Sequence, residues 1–261
     1  MTGSSITARI DLNCDMGEGF GAYAMGRDRD LIGHVSSANI ACGFHAGDPG
    51  WMRATVALAE EYGVGIGAHP GFPDLRGFGR RVLGATPAEI RDDLVYQIGA
   101  LTAFTRAKRL QHVKAHGALY NLAVTHDDVA AAIADAVLAV DPDLLVVVLA
   151  GSPWERAARG RGLCVAREVF ADRAVDARGA LVPRSAPGAV IHDEAAVVER
   201  SLRLVVDHRV TAITGEDLDL QADTICLHGD TPGSVGLAAA LRQAFDRAGV
   251  EVVPMGRLLA R

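Results

Sequence analysis

The sequence predicts an α/β protein whose parallel sheet closes into a (β/α) barrel. Two observations carry that expectation. Short apolar runs of strand length alternate with amphipathic helical segments along the whole chain. Polar, chemistry-bearing residues then stand at the C-terminal ends of five or six of those runs. In a barrel such ends converge on one mouth, whereas an open doubly wound sheet gathers its site at one switch point from fewer strands. No Pro/Gly/Ser-rich linker divides the 261 residues, so residues 1–261 are expected to form a single domain.

Seven runs read as strands: 6–13, 38–42, 64–68, 111–115, 144–150, 163–168 and 224–228. Between them, Asp48-Pro49 starts a helix. Thr86-Pro87-Ala88-Glu89 starts another with a cap, an N1 proline and a glutamate at N3. Ile90, Leu94, Ile98 and Leu101 share one face of that helix. Further helices are expected from Asp127 or Asp128, over about 193–206, and from Thr231-Pro232. The apolar run after Ser201 reads as a helix end followed by a short strand.

Composition excludes several functions. With 26 basic and 32 acidic residues, the formal net charge of -6 makes a poor general nucleic-acid binder. No apolar stretch is long enough to span a membrane, and no apolar signal region opens the chain, so a cytoplasmic location is expected. The four cysteines form no CxxC pair and are expected to be small buried thiols. A P-loop and a GxSxG elbow are both absent.

The candidate site residues follow from the strand ends. In DLNCDMGEGFG, the run GEGFGA imitates a dinucleotide-binding turn, but YAMGRDRD does not open a helix. Carboxylates there would also face any pyrophosphate. The segment reads instead as an acidic site loop with Asp15 and Glu18 available for proton transfer or metal contact and Asn13 for binding. SANIACGFHAGDPG contributes His45, with Asp48 as helix cap. GIGAHPGFPDLRGFGRR contributes His69 and a long irregular loop ending in Arg80 and Arg81, either of which suits an anion. In HVKAHGALYN, Lys114 and His116 can share one strand face, with His112 a structural neighbour and Asn121 a candidate ligand contact. A lysine on an inward face needs a compensating acid or anion. Finally, His228 and Asp230 stand before a helix start. Asp15, His45 and His69 make a reasonable metal set, although no tight ligand spacing signals one.

The blocks IDLNCDMGEGFGAY, SSANIACGFHAGDP, GIGAHPGFPDLRGFGRR, YQIGAL, HVKAHGALYN, EVFADRAVDARGAL and ICLHGDTP, in that order, resemble the LamB/YcsF family. That family is understood as the A component of the bacterial ATP-dependent 5-oxoprolinase. Two departures are visible: Ala115 stands where the family has proline, and Val175 where tyrosine is common. The resemblance implies an irregular, TIM-like barrel of about seven strands, akin to the glycoside hydrolase and deacetylase group. It implies cleavage of 5-oxo-L-proline to L-glutamate, coupled to hydrolysis of ATP with Mg2+, and two partner subunits, B and C. On that basis Asp15 or His45 would serve as base and His116 or His228 as acid. Lys114, with Arg80 or Arg81, would steady phosphate or the substrate carboxylate. The alternatives are a metal-dependent deacetylase or a non-catalytic, substrate-binding component.

Overall fold

The computed structural model describes residues 8–227 and 233–260. The chain begins with β1 (Arg9–Met16), α1 (Asp28–Leu31), β2 (Ser37–Ala41), α2 (Pro49–Tyr62) and β3 (Gly65–His69). It continues through α3 (Pro87–Thr102), β4 (His112–Val113), α4 (Gly117–Thr125), α5 (Asp127–Val140), β5 (Leu145–Leu149), α6 (Pro153–Gly160) and β6 (Cys164–Phe170). The last part holds α7 (Glu194–Asp207), β7 (Arg209–Thr211), β8 (Asp217–Asp219), β9 (Thr224–Leu227), α8 (Ser234–Arg247), β10 (Glu251–Val252) and α9 (Met255–Leu258).

Strands β1, β2, β3, β4, β5, β6 and β9 pair in parallel, and β9 closes back on β1. The result is the expected seven-stranded barrel wrapped by helices. Strand β10 adds to the start of β1, and β7 with β8 forms an antiparallel hairpin outside the barrel. Boundaries shift slightly from the sequence expectation. β1 runs three residues further, so Asp15 lies within it as well as Asn13. β4 is only two residues long, so Lys114 and His116 follow it. Four helices were not anticipated: α4, which follows the Lys114 and His116 motif, and the short α1, α6 and α9; α1 starts inside the YAMGRDRD segment read as opening no helix.

Alternation along β1 explains the interior. Ile10, Leu12, Cys14 and Met16 face the helices and are buried in the main core. Asp11, Asn13 and Asp15 point to the barrel axis at three levels. At the lowest level, Asp11 accepts bonds from Ser36, Ser37 and Thr224 hydroxyls and from the Met255 amide. Beside it Leu145, Val147, Ala166 and Met255 pack as a small apolar plug. The polar levels above replace the branched aliphatic layers usual in such barrels. Room for them comes from β3: the His112 ring occupies the place where a Cβ on Gly67 would be.

Helix α3 shows how local signals set an element. The Thr86 hydroxyl accepts from the Glu89 amide, and the Glu89 carboxylate accepts from the Thr86 amide. Its buried face is Ile90, Leu94, Ile98 and Leu101, with Gln97 bonded to Gly71. Among the described residues no helix is long and apolar enough to cross a membrane. The four cysteines are unpaired; Cys14, Cys42 and Cys226 are buried. Removing the cap of α3 with Thr86→Ala is expected to lower the unfolding free energy by about 1 kcal/mol, read by urea denaturation.

Candidate active site

The centre of the site is the Lys114 ammonium, only 2 % exposed at the end of β4. It lies 2.9 Å from Glu168 Oε1 on β6 and 3.1 Å from Asp15 Oδ1 on β1. It also donates to Cys226 Sγ at 3.0 Å and reaches Asn13 Oδ1 at 3.3 Å. The Phe170 ring closes one side, 5.3 Å away. Burial disfavours the ammonium, but Asp15, Cys226 and Glu168 outweigh it and hold Lys114 well above its ordinary pKa. Burial likewise opposes ionisation of Asp15, yet His69 and Lys114 hold its carboxyl well below the usual range.

A layer of amides fixes these charges. Asn39 Nδ2 donates to Asn13 Oδ1 (2.7 Å) and Asp15 Oδ1 (2.8 Å). Asn13 Nδ2 donates to Thr224 Oγ1 and Glu168 Oε1. His112 Nε2 lies 2.7 Å from Asn39 Oδ1, and Gln111 Nε2 lies 3.1 Å from His112 Nδ1. Both contacts are satisfied by a neutral ring that carries its proton on Nε2. Burial, then the charges of Lys114 and His69, lower His112 to about 3.

Three imidazoles stand at the mouth. His69 Nδ1 lies 2.8 Å from the Lys114 carbonyl, and its Nε2 is 3.3 Å from Asp15 Oδ2 and 2.9 Å from His116 Nδ1. His116 Nε2 lies 2.8 Å from the Phe78 carbonyl. The His45 ring stacks on His116 with centroids 3.7 Å apart. Glu18 Oε1 is 3.9 Å from His45 Nε2 and 3.8 Å from His116 Nδ1. Burial lowers His45 well below its ordinary value and His116 to about 3. The loop from β3 to α3 covers these rings. Phe78 meets His45 and His116 edge-on, and a Cβ on Gly79 would sit 2.7 Å from His45 Cβ.

A cavity of about 530 Å³ opens above Asp15, His69, Lys114 and His116. Arg80 and Arg184 reach it from exposed loops, and the buried Arg173 from the segment after β6. Asn121 and Tyr120 on α4 also line it. Arg81 does not: it is held in an ion pair with Asp74 inside its own loop. Asp48 caps α2 and also accepts from the Gly21 amide. His228 and Asp230 lie outside the described residues.

The carboxylate nearest His45 and His116 is Glu18, not the Asp15 of the set read from sequence. Glu18, His45, His69 and His116 form a buried cluster of suitable composition and spacing to hold a metal ion. Sequence reasoning missed Asn39, Tyr120, Arg173, Arg184 and the contact of Cys226 with Lys114. Asn39, Tyr120, Arg173 and Cys226 all lie within the motif blocks, which were the available signal, and Arg184 lies outside them.

Two stability outcomes follow from this packing. Lys114→Met leaves Asp15 and Glu168 facing each other without a cation, and is expected to cost about 3–5 kcal/mol in unfolding free energy. For His112, the unfolded chain takes up a proton below the ordinary 6.5 while the folded ring refuses it down to about 3. Acidification through that window therefore favours unfolding, by up to about 1.4 kcal/mol per pH unit. Urea denaturation at about pH 4.5 and about pH 7 should show a shallower pH dependence in His112→Gln than in the parent chain.

The chain as a whole has close counterparts. A protein of Syntrophobacter fumaroxidans named as the A chain of 5-oxoprolinase is 54% identical over 250 residues, spanning 95% of this chain and 99% of that protein. The protein of the same name from Pyrococcus horikoshii is 51% identical over 249 residues, spanning 95% and 98%. The crystal structure of the lactam utilization protein from Thermus thermophilus superposes with a TM-score of 0.90 at 49% identity, covering 94% of this chain and 99% of that one. The putative cellobiose-phosphate cleavage protein of Enterococcus faecalis, at 10% identity and a TM-score of 0.58, shares the fold alone. Residues 10–260 match the LamB/YcsF family profile. With the site-bearing strands and nearly the whole chain inside that match, this protein belongs to the LamB/YcsF family.

Proposed function

We propose that this chain is the A component of a 5-oxoprolinase, opening the lactam ring of 5-oxo-L-proline to give L-glutamate, with ATP and Mg2+ as phosphoryl donor and with subunits B and C. The observation that carries the reading is the fixed Lys114 charge, with Asp15 beside it, beneath an arginine-rimmed cavity. It is supported by relatives of that name at 51–54% identity.

A lactam is a resonance-stabilised amide, and closing it is favoured because the reacting groups share one chain. Phosphorylation removes the resonance. The lactam oxygen attacks the terminal phosphorus, ADP leaves, and the ring N–H proton is released. Water then adds to the ring carbon. Its two protons pass in turn through Asp15 to the ring nitrogen. The C–N bond breaks with its electron pair on nitrogen, leaving an acyl phosphate. A second water releases phosphate and the new carboxylate.

Each residue's setting suits one part of this sequence. Asp15 is part-exposed to the cavity, so water can reach it. A carboxyl held that acidic returns its proton readily, and it is a weak base that needs an activated electrophile. Lys114 supplies a positive charge that needs no reorganisation as negative charge develops above it. Arg80 and Arg184 meet the substrate carboxylate and the phosphoryl group at the rim.

The test is glutamate formation from 5-oxoproline by the assembled complex of this chain with B and C. Glutamate is expected only with ATP and only when this chain is present. Asp15→Asn is expected to lower the coupled rate by about a hundredfold or more. No glutamate from a folded, assembled complex would overturn the reading. Full turnover by Asp15→Asn would make the chain a binding component instead.

A further inference from the structure

Proton transfer through Asp15 makes no use of His45, whose Nδ1 and Nε2 are both buried and, among the described residues, both without a hydrogen-bond partner. Leaving such bonds unmade in a buried site is unfavourable, so a side chain buried in this way calls for an explanation. Its neighbours supply one. The carbonyls of Lys114 and Phe78 can only accept, so His69 carries a proton on Nδ1 and His116 carries one on Nε2. The other two nitrogens, His69 Nε2 and His116 Nδ1, face each other across 2.9 Å. In neutral rings both present lone pairs, which repel unless a positive centre sits between or beside them.

We propose that Glu18, His45, His69 and His116 bind one divalent d-block cation of the zinc or manganese class, through Glu18 Oε1, His45 Nε2, His69 Nε2 and His116 Nδ1. These groups lie within 4.8 Å of one another. Three imidazoles with one carboxylate suit such an ion, whereas Mg2+ prefers oxygen ligands and keeps its waters. Two of the rings already have the outer hydrogen bond to a backbone carbonyl that orients metal-binding histidines. A proton shared by His69 and His116 would relieve their repulsion but leave both His45 nitrogens unpaired.

Asp15 is not a ligand in this assignment. Its Oδ1 is occupied by Lys114 and Asn39, and its Oδ2 faces only the His69 edge of the cluster. The ion demands one movement. The His45 and His116 planes are 3° from parallel, so no point lies in both, and His45 must tilt. Among the described residues no hydrogen bond holds that ring in place. His69 and His116 also line the cavity, so the ion stands at its edge. When bound there it can polarise a carbonyl or phosphoryl oxygen.

Metal binding stands apart from the lactam reading, and its test reads metal rather than turnover. Metal-free full-length chain is incubated separately with Co2+, Zn2+, Mn2+ and Mg2+, desalted, and assayed for bound metal by plasma mass spectrometry. The cobalt form is examined for a visible ligand-field band. The expected result is one Co2+ or Zn2+ per chain, a cobalt band, and no retained Mg2+. His45→Ala and Glu18→Gln, each shown folded by circular dichroism, are expected to weaken retention by about tenfold or more, while Asp15→Asn keeps it. A folded parent chain that retains no metal overturns the proposal. So does retention that survives both His45→Ala and Glu18→Gln, which marks an adventitious ion elsewhere. Loss with Asp15→Asn but not with Glu18→Gln overturns this ligand set in favour of Asp15.

Discussion

A single buried ammonium organises this molecule. Taking Lys114 out of water is tolerable only because two carboxylates and a thiol sulfur surround it at hydrogen-bond distance. Those partners come from three different strands, β1, β6 and β9, while the lysine itself follows β4. The two carboxylates need further donors: Asn39 donates to Asp15 and Asn13 to Glu168, and Thr224 accepts from Asn13 and so holds that amide in place. The barrel is therefore tied across its axis by charge and hydrogen bonds, while the apolar contacts lie mainly between the outer strand faces and the helices.

This construction separates two kinds of polarity. Below the mouth, the Lys114 network is largely buried and densely hydrogen-bonded, with Glu168 Oε2 left without a partner among the described residues. Charges there are held in place and interact more strongly than they would in water. At the mouth, the imidazoles are only partly satisfied, and the Phe78 loop excludes water from one side of them. Rigid charge beneath adaptable ligands is a useful order for catalysis. The lower layer fixes the field, and the upper one meets whatever enters the cavity.

The arginines sort by the same physics. Arg81 is satisfied by Asp74, and the pair staples the loop between β3 and α3 into the shape that covers the histidines. Arg173 is buried and spends its donors on the carbonyls of Val182 and Ala189, which shapes the segment after β6. Arg80 and Arg184 extend from exposed positions at the cavity rim. Adjacent arginines in one motif, Arg80 and Arg81, thus have different surroundings, and only their loop's path distinguishes them.

The sequence by itself determined what short-range physics controls. Thr86-Pro87 and Glu89 started α3 where expected, and strand-length apolar runs announced seven parallel strands. Polar residues at the strand ends, with Lys114 and His116 able to share one face, pointed to one end of the barrel. Only the tertiary structure decided who meets whom. Lys114 and Cys226 are 112 residues apart, and Asn13 and Glu168 are 155 apart. Nothing in local spacing says that Glu18 rather than Asp15 lies nearest His45 and His116, or that Arg81 turns back to Asp74. Those choices depend on strand register and on the path of the loop over the mouth. A one-residue change in register would reverse every side chain on a strand, so they are fixed only when the barrel closes.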